Sequence, residues 1–156
     1  AEERRLLAPT IAQIAAVLDG TFYAGASGQN ELVDRFLIGG LITEWGGNYF
    51  GRYESQAVLV RGGRTDIQMS ALNFPLTGLF LTGCDTPPQY VHQRATDLDV
   101  PLVTSSHDTP TATAVLERLE NTITIDHPEK ISLITSMVNE SVDLQAIGES
   151  AGVRTN

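Results

Sequence analysis

The sequence predicts an α/β domain with a mainly parallel central sheet flanked by helices. From residue 56 onward, short apolar runs alternate with helix-length segments: "QAVLV", "GLFLT" and "VPLVTS" are each followed by a turn and then an amphipathic stretch. These runs are apolar at nearly every position, which suits strands covered on both faces. The chain has 156 residues, 42% hydrophobic and 19% charged, which fits one domain with a sizeable core.

The elements follow in order. Thr10 is placed to cap a helix whose apolar face is Ile11, Ile14, Ala15 and Leu18, with Gly20 ending it. "TFYAG" reads as a short strand, and a second extended run lies around residues 33–42. In "TEWGGNYFGRYE" the aromatics Trp45, Tyr49, Phe50 and Tyr53 have helical spacing, while Gly46, Gly47 and Gly51 weaken a helix. A loose helix packed on the sheet is expected, its aromatics serving the core rather than a stacking platform. "QAVLV" then leads through a glycine turn into a helix over Thr65–Leu72. "GLFLT" leads through "GCDTPP" into a helix ending near Leu98, capped by Asp85 or Thr86 with Pro87 in its first turn. "VPLVTS" leads into a helix to about Leu119, capped by Thr109 with Pro110 in first position. In "DHPE", Asp126 is the expected cap, followed by Pro128 and Glu129, and the helix carries a stripe of Ile131, Ile134, Val138 and Val142.

Charge and cysteine content exclude several function classes. The formal net charge is −9, which disfavours nucleic acid or an anionic membrane as partner. Cys84 is the single cysteine, so no internal disulfide forms and a cysteine-rich zinc site is excluded; this suits a reducing cytoplasm. No apolar run approaches the roughly 18 residues of a membrane span. The opening "AEERRLLAPT" reads as a mid-protein linker. Residues 1–8 are therefore expected to be a linker remnant, 9–145 the domain and 146–156 a polar tail, in a piece of a longer protein.

In a parallel α/β sheet, ligands collect beyond the carboxyl ends of the strands. Three loops there are distinctive: "RGGRTD" at 61–66, "TGCDTPP" at 82–88 and "TSSHDTPT" at 104–111. They offer backbone N–H groups, hydroxyls and an arginine, the equipment of a phosphate or carboxylate cradle. Its candidate members are Gly62, Gly63, Arg64, Asp66, Thr82, Gly83, Asp108 and Thr109. The same residues have plain structural readings, which spacing alone favours. The glycines permit positive φ in a tight turn. Asp66 suits a helix N-terminus and a pairing with Arg64, which Asp108 could share.

Catalytic signatures are sparse. The chain has no phosphate-binding loop of the G-x-x-x-x-G-K-[ST] type, and its single lysine is Lys130. It has no G-x-G-x-x-G and no G-x-S-x-G. His92, His107 and His127 lack partners at metal-binding spacing. His107, Asp108 and the nearby Ser105 or Ser106 define one alternative, a small hydrolase or transferase, although sequence neighbours rarely form a triad. Cys84, at an expected helix start, is either an activated thiol or a small buried residue.

Taken together, "VLVRGGRTDIQMSAL" and "LTGLFLTGCDTPPQYVHQRATDLDVPLVTSSHDTPTATAVLERL" resemble the DRTGG domain. In that family a strand leads into Gly-Asp-Arg-x-Asp-Ile, a second ends in Thr-Gly-Gly, and a third leads into an Asp-Thr turn. Gly62, Arg64, Asp66 and Ile67 match the first motif, Thr82 and Gly83 the second, and Asp108 and Thr109 the third. The family's motif aspartate is Gly63 here, and its second Thr-Gly-Gly glycine is Cys84. The flanks "APTIAQIAAVLDGTFYAG" and "DHPEKISLITSMVN" resemble those of the domain in long bacterial phosphate acetyltransferases, so the resemblance covers about residues 9–145. There it follows a dethiobiotin-synthetase-like ATPase domain, and "RLLAPT" looks like that junction. The resemblance implies a fold similar to the N-terminal domain of HPr kinase/phosphorylase. It also implies a non-catalytic, regulatory, ligand-sensing and dimerising domain of a phosphotransacetylase-family protein, binding a nucleotide or other anion, with no cofactor. The apolar and aromatic content of residues 36–53 adds to the homodimer expectation. A purely structural connector is the remaining alternative, and it would show no cavity at the three loops.

Overall fold

The computed structural model describes residues 3–40, 49–119 and 123–142. It divides into two compact units, Ala1–Ile123 and Thr124–Asn156. The first unit is built on a five-stranded sheet of order β1-β5-β4-β3-β2. Its strands are β1 (Thr21–Ala24), β2 (Arg35–Ile38), β3 (Gln56–Arg61), β4 (Gly78–Thr82) and β5 (Leu102–Ser105). Strands β2, β3, β4 and β5 run parallel, while β1 lies antiparallel on β5. The sheet is therefore mainly parallel, as the strand and helix rhythm predicts, and mixed only through its antiparallel edge strand β1. The physical reason lies in the connections. The right-handed crossover rule constrains strands joined through a helix. Strand β1 enters from a helix with no strand before it, so nothing local fixes its direction.

Among the described residues, the longer helices of this unit are α1 (Ile11–Val17), α2 (Thr65–Ala71), α3 (Gln89–Asp97) and α4 (Thr109–Leu119). Alternate strand residues feed two cores. Ala57, Leu59, Phe80 and Val103 pack with Ile11, Ile14 and Leu18 of the α1 region and with Ala112, Leu116 and Leu119 of α4. Val58, Val60, Leu79, Leu81 and Leu102 pack with Ile67, Ala71, Val91 and Ala95 of α2 and α3. Each fully buried aliphatic or phenyl side chain contributes about 1.5–3 kcal/mol. This two-sided burial explains why the strands read as apolar runs. Near the N-terminus, Arg5 ties back to Asp34 by an ion pair of 2.9 Å. The helix expected around Trp45 lies largely outside the described residues, but Phe50 is buried and its ring lies 6.2 Å from that of Phe74.

Thr10 caps α1 in a full capping box: its hydroxyl accepts the Gln13 N–H at 3.2 Å and the Gln13 side chain accepts the Thr10 N–H at 2.9 Å. The left-handed residue after α1 is Asp19 (φ 48°), not Gly20. Gly20 is needed for space, since a Cβ there would sit 2.6 Å from Val103 Cγ1. Helix α3 starts at Gln89 behind Pro88, so its cap lies beyond both Asp85 and Thr86. A residue before proline is disfavoured in the helical region, so the Pro87-Pro88 pair delays the start. For α4 the cap is Asp108, whose carboxylate accepts the Thr111 N–H at 2.9 Å, and Thr109 is already helical.

The second unit contains α5 (Pro128–Ser141). Its cap is His127, whose Nδ1 accepts the Glu129 N–H at 3.3 Å. Asp126 instead accepts a hydrogen bond from the Thr124 hydroxyl. On the expected stripe, Ile131 and Val138 are exposed, while Ile134 and Val142 are half-buried.

Candidate functional site

The parallel register brings the three loops together. Arg61, Thr82 and Ser105 are level at the ends of β3, β4 and β5. Beyond that line the loops remain hydrogen-bonded to one another. The Gly62 N–H donates to the Thr82 carbonyl at 2.8 Å, the Gly83 N–H to His107 at 2.7 Å and the Cys84 N–H to Ser105 at 3.2 Å. The Thr82 and Thr109 hydroxyls share a bond of 2.7 Å. From α2, the buried Gln68 amide donates to the carbonyls of Arg61 and Gly62, both at 3.0 Å, and so fixes the shape of the RGG turn.

The glycines have three different reasons to be there. Gly83 has φ +65°, a conformation that disfavours any side chain. Gly62 has no positive φ; a Cβ on it would lie 2.5 Å from Cys84 Cβ, so it is required for close approach. Gly63 has neither constraint, as a Cβ there meets nothing within 4 Å. The expectation that this pair supplies positive φ is thus corrected for both residues.

Beside this turn lies a cleft of about 400 Å³. Ile38, Gly39 and Gly40 line it from β2 and the turn that follows, Leu59 and Arg61 from β3, Gly63 and Arg64 from the turn, and Thr109 from α4. Arg64 makes a two-pronged ion pair with Asp66, Nε to Oδ1 at 3.0 Å and Nη2 to Oδ2 at 2.8 Å. The Asp66 hydrogen bond raises the Arg64 pKa further, so the guanidinium is permanently charged. Arg61 is exposed, and its guanidinium makes no ion pair or hydrogen bond among the described residues. A larger groove, about 470 Å³, adjoins the cleft through Ile38 and Leu59 and runs along β2 and α4, with Phe36, Tyr53 and Leu116 in its lining. It is predominantly apolar and away from the three loops.

Of the eight residues singled out by sequence, Gly63, Arg64 and Thr109 line the cleft. Asp66 orients Arg64, and Gly62 shapes the turn. Thr82 is fully buried with its hydroxyl on Thr109. The Gly83 N–H is committed to His107, and Asp108 to capping α4. Hydrogen bonds from Thr111, its side chain first and then its backbone, hold the Asp108 carboxyl below the usual range. Sequence reasoning passed over Arg61, Leu59 and the Ile38-Gly39-Gly40 segment. The available signal was strand parity, which puts Arg61 on the same face of β3 as Ala57 and Leu59, the face that α4 covers.

The hydrolase arrangement does not form. The His107 ring lies against Asp19, with Nε2 3.4 Å from Oδ2. The Ser105 hydroxyl donates to the Leu18 carbonyl at 2.6 Å and accepts only the backbone N–H of His107. Cys84 is no activated thiol: burial pushes its pKa up, and Asp85 adds to the shift. Among the described residues no group of three His, Cys, Asp or Glu is placed to hold a metal, and no helix is long and apolar enough to cross a membrane.

Comparison with known proteins agrees with this architecture. The fold matches the crystal structure of the CBS and DRTGG domains of the regulatory region of Clostridium perfringens pyrophosphatase, complexed with its activator diadenosine tetraphosphate. The TM-score is 0.63 at 15% identity, covering 90% of this chain and 65% of that one. The chain is also 28% identical over 110 residues to the Bacillus subtilis (strain 168) protein YtoI, covering 70% of this chain. It spans only 24% of the length of YtoI. The model of the DRTGG domain matches residues 13–119, most of the chain, and so this chain belongs to the DRTGG domain family.

Proposed function

We propose that this chain is a non-catalytic regulatory domain that senses a nucleotide or other phosphate-type anion and pairs with a second copy of itself. The observation that carries this reading is the cleft beside the RGGR turn, which puts fixed positive charge in a concave site on a chain of net charge −9. A connector without a ligand would have no need of such a cleft at the loops. The nucleotide class is suggested by the activator held by the pyrophosphatase regulatory region, which shares the fold. The catalytic alternative loses its support because the His107 ring faces Asp19, Asp108 caps α4 and Ser105 bonds the Leu18 carbonyl, and among the described residues no hydrogen bond joins the His107 ring to Ser105 or Ser106.

The ordered motifs and their flanks support a parent protein of the phosphotransacetylase family, with covalent neighbour domains, a cytoplasmic location and a fold akin to the HPr kinase/phosphorylase N-terminal domain. Dimerisation is supported by edge strand β2, which leaves Phe36 and Ile38 exposed beside the half-exposed Tyr53. Calorimetric titration with ADP, ATP and inorganic phosphate tests ligand sensing, with light scattering on the same samples for the dimer. Heat of binding at or below millimolar ligand and a mass of two chains are expected. No binding by any of the three, or a monomer at high micromolar concentration, would remove the corresponding half of the reading.

A further inference from the structure

We infer that Arg61, rather than Arg64, is the principal anion contact of the cleft, and that the ligand is a phosphorylated organic molecule of mononucleotide size. The inference rests on the ligand-sensing reading above and makes it specific. The two arginines differ in how their charge is engaged. Arg64 is held in two-pronged contact with Asp66, so much of its charge is neutralised by its neighbour. Arg61 stands at the exposed end of β3 with no carboxylate on its guanidinium among the described residues. Its planar fork is therefore open to a phosphate, which it can grip through two parallel N–H donors.

The backbone under Arg61 is rigid. Its carbonyl accepts both the Gln68 amide at 3.0 Å and the Arg64 N–H at 2.9 Å, so the Cα from which the side chain springs is fixed at the cleft. A fixed backbone leaves only the side chain's own rotamers to be ordered on binding.

The rest of the cleft sets the size and character of the ligand. At about 400 Å³ it is far larger than an inorganic phosphate needs and falls in the range of small-molecule sites. Ile38, 45% exposed, gives it apolar surface for an organic body over the buried Leu59, and Thr109 closes the α4 side with its hydroxyl shared with Thr82. Gly63 leaves room on the turn side, since a Cβ there would meet nothing within 4 Å. An aspartate at that position has room for its Cβ and would add a negative charge to the turn that carries both arginines.

The test is calorimetric titration of the whole chain with ADP, pyrophosphate and inorganic phosphate, on wild type, Arg61→Ala, Arg61→Lys, Arg64→Ala and Gly63→Asp. Melting temperatures of each variant check the fold. ADP is expected to bind wild type at least tenfold more tightly than inorganic phosphate. Arg61→Ala should weaken ADP by tenfold or more at an unchanged melting temperature. Arg61→Lys should recover part of the loss, Arg64→Ala should cost less than Arg61→Ala, and Gly63→Asp should weaken ADP as Arg61→Ala does. If Arg61→Ala binds ADP like wild type while Arg64→Ala loses it, the site stands and the assignment to Arg61 is wrong. Equal affinity for ADP and inorganic phosphate would overturn the organic-body assignment. If wild type binds none of the three probes at millimolar concentration, the ligand-sensing reading itself fails, and this inference with it.

Discussion

Substituting Gly62 by alanine probes the tightest junction of the site. A Cβ on residue 62 would lie 2.5 Å from Cys84 Cβ and 2.6 Å from its Sγ, against the 3.4 Å at which ordinary contact begins. The shortfall is 0.9 Å at the nearer atom, and neither side can easily give way. Gly62 is tied to Thr82 at 2.8 Å and Cys84 to Ser105 at 3.2 Å. The clash involves the root of the cysteine side chain, so a rotamer change of Cys84 relieves only the sulfur contact. Overpacking of this kind costs about 1–3 kcal/mol. In a domain of this size that lowers the melting temperature by about 2–12 °C. The backbone of Gly62 is not left-handed, so alanine itself is conformationally acceptable there. Removing the obstacle with Cys84→Gly should therefore reverse the sign: in that background Gly62→Ala should be neutral or stabilising by up to about 1 kcal/mol. Urea unfolding of wild type, both single variants and the double variant, followed by circular dichroism, gives the coupling energy. A wild-type midpoint for Gly62→Ala, or strictly additive single and double variants, would refute the steric account of this glycine.

Three further outcomes are expected. Thr10→Ala removes one half of the α1 capping box and should cost about 1 kcal/mol in urea unfolding; an unchanged midpoint would count against the cap. Phe80→Ala empties the centre of the α1 and α4 core, where Phe80 is 1% exposed, and should cost about 3–5 kcal/mol by the same measurement, with a loss below 1 kcal/mol as the contrary result. Asp108 has a folded pKa below its usual value, so its contribution is present above the unfolded pKa of about 3.9 and is lost as pH falls through the folded one. Asp108→Asn keeps a capping oxygen but does not titrate, so below about pH 4 the wild-type urea midpoint should fall more steeply than the variant's; parallel curves would contradict the assignment.

The sequence by itself determined which segments become strands and that both faces of the sheet are covered, because β3, β4 and β5 must be apolar throughout to lie between two layers of helices. It determined the α1 cap, where Thr10 and Gln13 act over three residues. It also picked out three loops that do meet, since parallel strands of similar length end at one edge. Tertiary structure decided what depends on partners distant in the chain. The direction of β1 follows from its pairing with β5, some eighty residues away, and is not written in "TFYA". The need for glycine at 62 comes from Cys84, and at 20 from Val103. The division of the eight candidate residues was settled the same way: Thr82 met Thr109, Gly83 met the His107 carbonyl, and their polar groups were consumed. Arg61 is legible only in part: strand parity puts it on the α4-covered face of β3, but a charge at a strand end looks like any solvated residue until the neighbouring turn at Gly39-Gly40 closes a cleft beside it. Helix and strand formation follow from neighbours a few residues apart, whereas the site is an agreement among four segments that only the folded sheet brings within reach.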